Sequence, residues 1–151
     1  MRRAALYLTL ALTLLSCDRG SYGAVTHRSF DGRPDQWVKR LSEDEYQIAI
    51  DTNGDGKPNL LKTIKGDNIV EIQSDRNSDG QTDLVQQYLH GVMVREIRDD
   101  DFDGRPETVK TFRPNGTLAI IERDPNQSGA IGIVEYYDSA GHLTRRDVRT
   151  K

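Results

Sequence analysis

Three short segments combine acidic residues and a glycine at a spacing that suits the binding of a hard cation. They read DTNGDGKPN, DRNSDGQTD and DDDFDGRPE, and we call them loop 1 (51–59), loop 2 (75–83) and loop 3 (99–107). Calcium takes six to eight oxygen ligands at loose geometry, and a glycine at the sixth loop position permits the turn that lets alternate side chains converge. The pattern therefore predicts a calcium site in each loop.

The ligands that this pattern predicts are the side chains at the first, third, fifth and ninth positions and the backbone carbonyl of the seventh residue. They are Asp51, Asn53, Asp55, Lys57 and Asn59 in loop 1, Asp75, Asn77, Asp79, Gln81 and Asp83 in loop 2, and Asp99, Asp101, Asp103, Arg105 and Glu107 in loop 3. Loops 1, 2 and 3 offer two, three and four carboxylates. Because ligand charge tunes calcium affinity, we expect affinity to rise in that order.

The loops return at a fixed interval along the chain. The acidic residues before the loop glycines are Asp55, Asp79 and Asp103, with a leading copy at Asp31, so the spacing is 24 residues throughout. A degraded copy, loop 4 (124–132), places Ser128 there after 25 more residues. A strict period of this size indicates one supersecondary unit copied in tandem. We expect the leading copy and loop 4 to be metal-free, because other residues replace several of their ligands.

Each unit after its loop has the composition of a β-hairpin. Segments rich in Val, Ile, Tyr, Phe and Thr favour strands, and a glycine turn separates two of them in every unit. Asn115-Gly116 is the strongest turn signal, because both residues tolerate the positive φ of a type I′ turn. Pairs such as Val70 and Ile72, five and three residues before a loop, predict the buried face of the second strand. The first strand keeps no clean two-residue period, which a bulge or a sheet covered on both faces would explain.

The predicted fold class is therefore all-β, an antiparallel meander of about five 24-residue hairpin repeats. We expect nine or ten strands, arranged as an open curled sheet or as a small barrel or propeller-like structure. Helices flanking the loops, as in an EF-hand, are less favoured. That arrangement needs a bidentate Glu at the twelfth loop position, where this chain has Lys62, Gln86 and Lys110.

The first residues have the make-up of an export signal. Arg2 and Arg3 precede a 12-residue apolar stretch from residue 4 to 15, too short to span a bilayer as a helix. The following Ser16-Cys17 completes a motif that resembles the bacterial lipoprotein box. That resemblance implies a signal peptide at 1–16, a diacylglycerol on Cys17, a tether at 17–26 and a β-hairpin repeat domain at 27–151. A secretory signal with an incidental cysteine, or an uncleaved anchor, remains the alternative.

Charge and composition limit the partners. Without residues 1–16 the chain keeps 19 basic and 24 acidic residues, a formal charge of −5. An acidic surface repels phosphate backbones, so we expect no nucleic-acid partner. With 35% hydrophobic and 30% charged residues, the apolar core must be thin for the chain length. Something besides apolar burial is expected to hold the fold.

The loops themselves resemble those of known families. DTNGDGKPNLL is similar to the calcium loop of FG-GAP and VCBS repeats, which joins two antiparallel strands, and to thrombospondin type 3 loops. The C-terminal YDSAGHLT is similar to the YD repeats of secreted bacterial shell proteins. The resemblance covers the loops and implies calcium as the bound ion.

The sequence contains no common catalytic motif, so we expect no enzyme activity. We predict a lipid-anchored extracytoplasmic calcium-binding β-repeat protein, on the periplasmic face or the cell surface, whose calcium is structural and which serves as a binding or scaffold module. The alternative is a calcium-dependent receptor module for a polysaccharide or a protein, with Trp37, Tyr136 or Tyr137 as anchors. A calcium-dependent hydrolase is a third, less favoured possibility.

Overall fold

The computed structural model of the chain describes residues 23–26 and 34–149, and only the backbone of the first of these segments. The predicted signal peptide at 1–16, Cys17 and the leading loop copy at Asp31 lie outside the described residues. The described part forms eleven strands: β1 (Gly23–Thr26), β2 (Gln36–Arg40), β3 (Glu45–Ile50), β4 (Leu60–Lys65), β5 (Asn68–Ser74), β6 (Leu84–Leu89), β7 (Val92–Arg98), β8 (Thr108–Phe112), β9 (Leu118–Arg123), β10 (Ile133–Tyr137) and β11 (Leu143–Val148).

All strands belong to one sheet whose order follows the chain from β1 to β11, and every pair is antiparallel. Within the described residues each strand contacts only its neighbours in this order, so the sheet is a single open layer with no second layer against it. The predicted all-β antiparallel meander is confirmed, with eleven strands instead of nine or ten. The open order excludes the barrel and propeller-like alternatives.

The strand β1 lies where we predicted the end of the tether. Its residues pair with β2, so a strand occupies the last four positions of the predicted tether of residues 17–26. Val25 and Thr26 are β-branched and favour a strand. Pairing with β2 also satisfies backbone groups that would otherwise form an exposed edge.

A β-bulge recurs at one position of the hairpins, and its extra residue lies on the second strand of each. The register shifts by one between Thr63 and Ile64 on β4, and again at the equivalent points of β6, β8 and β10. In β5 the residue left without a partner is Val70. A bulge re-aims the side chains beyond it. Because the extra residue lies on the second strand, the bulge does not account for the irregular period of the first strand, and the single-layer sheet is not covered on both faces within the described residues.

The buried side chains form a stripe beside the acidic loops. Ala49, Val85, Ile97 and Val109 are almost fully buried, and the strand register places them in one row on one face. They lie two residues before or after a loop. The face that we predicted to be buried, marked by residues such as Ile72, is only half-buried. The prediction chose the wrong face because it followed the apolar residues three and five before each loop, whereas the buried residue lies two before it; the same holds for Ala49 in β3, which has no bulge.

The turns at the other ends of the hairpins also differ from the prediction in one case. His90 and Gly91 have φ of 50° and 79° and join β6 to β7 directly, as in a type I′ turn. At Asn115-Gly116 only the glycine has a positive φ, and the turn is wider, closed by a hydrogen bond from Arg113 N to Thr117 O (2.8 Å).

Over the described residues, no helix is long and apolar enough to cross a membrane.

Candidate metal centre

The four predicted carboxylates of loop 3 converge on one point. Asp99, Asp101, Asp103 and Glu107 each contribute an oxygen, and these oxygens all lie within 4.8 Å of one another. Oxygens bound to calcium at about 2.4 Å can be at most about 4.8 Å apart, on opposite sides of the ion. The carboxylate set thus has the dimensions of a calcium shell. It is the one such group of three or more acidic, histidine or cysteine side chains in the described part of the chain.

The backbone of loop 3 is organised around its first residue. Asp99 accepts hydrogen bonds from the backbone N–H of Phe102 at Oδ1 (2.7 Å) and of Gly104 at Oδ2 (2.8 Å). Both donors have a positive φ, 65° for Phe102 and 84° for Gly104. Glycine adopts this conformation readily, whereas a bulky side chain does so at a cost of about 1 kcal/mol or more. The sequence predicted the turn at position six but not the second one at position four.

The remaining carboxylates of loop 3 each use one oxygen to hold the backbone. Asp101 Oδ1 accepts from Asp103 N (3.2 Å), and Asp103 Oδ1 accepts from Arg105 N (2.8 Å). Glu107 Oε2 accepts from Asp100 N (2.7 Å) and so closes the loop from its far end. Each group keeps further lone pairs, since a carboxylate has about four acceptor sites. The loop is thus shaped by hydrogen bonds and still presents oxygen ligands.

The electrostatics of loop 3 are unbalanced. No Lys or Arg of the described segments forms an ion pair with the four converging carboxylates. Burial, followed by the neighbouring acids, raises the pKa of Asp99 and of Glu107. Burial alone would also raise the pKa of Asp100, but hydrogen bonds from Arg76 and Arg98 and their positive charge lower it. A cation at the convergence point would remove the imbalance.

Loops 1 and 2 repeat the backbone of loop 3 but close it with an amide. Asn77 Nδ2 donates to Asp79 Oδ2 (2.9 Å) in loop 2, and Asn53 Nδ2 donates to Asp55 Oδ2 (3.3 Å) in loop 1. The amide group therefore satisfies the fifth-position carboxylate. In loop 3 the third residue, Asp101, has no such donor. The three carboxylates of loop 2 do not form a cluster as tight as that of loop 3.

Loops 1 and 2 differ in the side chain at the ninth position. Asn59 Oδ1 accepts from both the N–H and the hydroxyl of Thr52 (2.9 and 2.8 Å), which leaves its NH₂ group, a donor that cannot bind a cation. Asp83 Oδ2 accepts in the same way from Arg76 N (2.6 Å) and Asn77 N (3.3 Å), but its Oδ1 is an acceptor without a partner. The predicted ligand Asn59 is thus occupied by the loop itself.

Loop 4 keeps the backbone without the acids. Asp124 Oδ2 accepts from Gly129 N (2.6 Å), as Asp99 does from its glycine, and Asp124 Oδ1 accepts from the Ser128 hydroxyl (3.2 Å). Burial would raise the pKa of Asp124, but hydrogen bonds from Ser128 and Gly129 outweigh it and lower the pKa.

Contacts between successive loops were not predicted from the sequence. Asn53 Nδ2 donates to Ser78 Oγ (3.0 Å), which joins loop 1 to loop 2. Arg76 of loop 2 donates to the backbone oxygen of Asp99 (2.6 Å) and lies over the Phe102 ring at 5.3 Å. Gln127 of loop 4 donates to Asp101 Oδ2. In each contact one partner, Ser78, Arg76 or Gln127, occupies a variable position of the loop pattern, so the 24-residue period gave no signal for these contacts.

Similarity to known proteins adds nothing to this geometry. Comparisons with protein-family models, with curated proteins and with solved structures found no match for this chain.

Proposed function

We propose that the chain is a lipid-anchored, extracytoplasmic β-repeat protein whose calcium ions stabilise the fold, with loop 3 as the principal site. The observation that carries the proposal is the convergence of four carboxylate oxygens in loop 3 within 4.8 Å, with no basic side chain to neutralise them in the described residues. Hard, oxygen-only ligation at this spacing suits calcium.

The single-layer sheet supports a structural role for the ions. The buried apolar residues are few, and no second layer packs on the sheet within the described residues, so apolar burial contributes less than in a two-layer domain. Successive loops lie side by side at the same ends of the strands and are joined by hydrogen bonds. An ion that rigidifies one loop therefore also supports its neighbours. Sites with a dissociation constant of about 10⁻⁴ to 10⁻³ M suffice outside the cytoplasm.

The alternative role as a glycan receptor receives no specific support from the aromatic residues. Trp37, Tyr136 and Tyr137 are each half-buried. Arg145 lies over the Tyr136 ring at 4.0 Å, and the Tyr137 hydroxyl donates to Glu135 (3.3 Å). A sugar would need an open aromatic face for stacking. We therefore favour a spacer or scaffold role.

The decisive experiment measures calcium binding and its effect on stability together. We expect isothermal titration of the domain from residue 17 with calcium to show binding, and thermal unfolding to shift upward in calcium relative to chelator. Magnesium is the control ion, because it demands a tighter octahedral shell. Identical unfolding curves in calcium and in chelator would contradict the proposal.

The lipid anchor is tested separately through Cys17. When the full chain is expressed in a bacterium with labelled palmitate, we expect the label on the wild-type protein and none on Cys17→Ser. Membrane fractionation should follow the label. A membrane-bound, unlabelled wild type would instead indicate an uncleaved anchor.

A further inference from the structure

A small cavity lies where loop 2 ends and loop 3 begins. Thr82 and Asp83 line it from loop 2, Asp99, Gly104 and Pro106 line it from loop 3, and the buried Val85 and Ile97 complete the lining. Its volume is about 20 Å³, which is enough for one water-sized species. The cavity lies between two repeats. The ligands of each predicted calcium site, which we call a loop ring, all belong to one loop.

The wall of this cavity contains a buried carboxylate oxygen with no partner. Asp83 is only 2% exposed, and its Oδ1 accepts no hydrogen bond. Its Oδ2 is already occupied by two backbone N–H groups of loop 2. A buried ionised oxygen without a partner is costly, so native structures pair it or bind it to a metal.

Thr82, a neighbouring residue of the cavity lining, has a second unpartnered oxygen. Thr82 Oγ1 is buried and makes no hydrogen bond. The equivalent eighth position is proline in loops 1 and 3, Pro58 and Pro106, so the hydroxyl is particular to loop 2. A hydroxyl oxygen is a hard ligand of the same class as a carboxylate oxygen.

The opposite wall adds negative charge. Asp99 N donates to Asp83 O (2.8 Å), so the two residues face each other across the ladder with their side chains on the same face. Asp99 is 4% exposed, and neither carboxylate has an ion-pair partner in the described residues. Like charges directly opposite in a sheet are destabilising. A water molecule in the cavity could donate hydrogen bonds to the unpartnered oxygens but would leave the repulsion between the two carboxylates. A cation would bind the oxygens and also neutralise the negative charge.

We propose that this cavity is a second type of cation site, a junction site that joins repeats two and three through Asp83 Oδ1, Thr82 Oγ1 and Asp99. The cavity is not fully enclosed, so water can complete the coordination shell of the ion. Asp83 then serves the junction and not the ring of loop 2. That assignment agrees with the failure of Asp75, Asp79 and Asp83 to cluster as the loop 3 carboxylates do.

The test uses Thr82→Val, because Thr82 belongs to none of the predicted loop rings. Valine has nearly the same shape and lacks the hydroxyl. In titrations of the domain with calcium, we expect this variant to lose one ion or to weaken it about tenfold. Thr82→Ser should restore binding. In chelator, Thr82→Val should unfold at the same or a higher temperature than the wild type, because it removes an unsatisfied buried hydroxyl.

Two further variants separate the junction from the loop rings. Asp83→Asn should lose the same ion as Thr82→Val and should stabilise the calcium-free protein, since it removes an unpaired buried charge. Asp79→Asn, which alters only the loop 2 ring, should leave the junction ion in place. If Asp79→Asn removes the ion and Thr82→Val does not, the junction site is wrong and Asp83 belongs to loop 2.

This inference rests on the proposed calcium-binding function, but the two fail differently. Absence of any calcium binding by the wild type would overturn both. Calcium binding that Asp103→Ala abolishes and that neither Thr82→Val nor Asp83→Asn changes would overturn the junction site alone and leave the cavity to a water molecule.

Discussion

Loops 3 and 4 share a backbone and differ in charge. In both, the first Asp accepts from the glycine N–H at position six, and in both positions four and six have positive φ. Loop 3 adds three carboxylates to that frame, whereas loop 4 has Asn126, Ser128 and Gly132 at the same positions. Burial is the largest single influence on the pKa of Asp99 and of Asp124, and it acts to raise both. The pKa of Asp99 is raised, with the charges of Asp103 and Asp101 adding to burial, whereas hydrogen bonds from Ser128 and Gly129 outweigh burial and lower the pKa of Asp124. The two loops thus share a frame built on the first Asp and the glycine, and this frame does not require the further acids of loop 3, which the proposed cation site would explain.

The largest expected difference between the two loops is in calcium-dependent stability. Asp103→Ala should remove the stabilisation that calcium gives through loop 3, about 2.7 kcal/mol when calcium is at 100 times the dissociation constant. Ser128→Ala in loop 4 is the matched control. It removes a hydrogen bond to Asp124 and should leave the response to calcium unchanged. Thermal unfolding of both variants in calcium and in chelator measures the difference, and equal calcium responses would end the distinction between the loops.

The shared backbone is tested by glycine substitution. Gly104 has φ of 84° and Gly129 has φ of 76°, so alanine at either site should cost about 1 to 2 kcal/mol in chelator. A Cβ at Gly104 would also lie 2.9 Å from Gln81 Oε1, a flexible side-chain end that can move, and a Cβ at Gly129 meets nothing within 4 Å. Denaturant unfolding in chelator should therefore show similar losses of unfolding free energy for the two variants. In calcium, the loss should become larger for Gly104→Ala and stay the same for Gly129→Ala.

Loop 4 should gain a weak site when its acids are restored. We expect Asn126→Asp with Ser128→Asp to bind calcium in a titration where the wild-type loop 4 does not, with a stabilisation below about 1.4 kcal/mol at tenfold excess over the dissociation constant. The site stays weak because Gly132 offers no ninth-position side chain. A double variant that binds no additional calcium would show that the loop 4 backbone, unlike that of loop 3, cannot gather its carboxylates.

The smallest effect is a difference in acid titration of the calcium-free protein. The pKa of Asp99 in the folded protein is raised above 3.8, so the folded state binds this proton more tightly than the unfolded state does. As the pH falls through the raised pKa, the free energy of unfolding therefore increases, and the increase is complete below pH 3.8. The folded pKa of Asp124 is lowered, so its stabilisation is present above 3.8 and is lost as the pH falls through the lower value. Carboxyl carbon chemical shifts followed by NMR should place the two midpoints on opposite sides of 3.8. Two midpoints on the same side would contradict the electrostatic contrast.

The sequence by itself determined the repeat, the strand composition and the loop frame. Local chemistry decides these features: Asp, Asn and glycine at fixed spacing dictate a turn that alternate side chains enter, and β-branched and aromatic residues dictate the strands between. The four carboxylates Asp99, Asp101, Asp103 and Glu107 could therefore be named as one group without coordinates. Their oxygens lie within 4.8 Å of one another, so the group could hold a metal ion, and its role as a calcium site stays a prediction.

Only the tertiary structure decided which faces and which neighbours meet. A single bulged residue such as Val70 interrupts the alternation of a strand, so the face of the residues beyond it could not be counted from the loop. The extra residue in the last 25-residue interval likewise pairs Val109 with Glu122 in place of Ile121, because a one-residue shift turns a strand over. The opposition of Asp83 and Asp99 depends on the register between two repeats, a long-range pairing that no spacing within a single loop encodes.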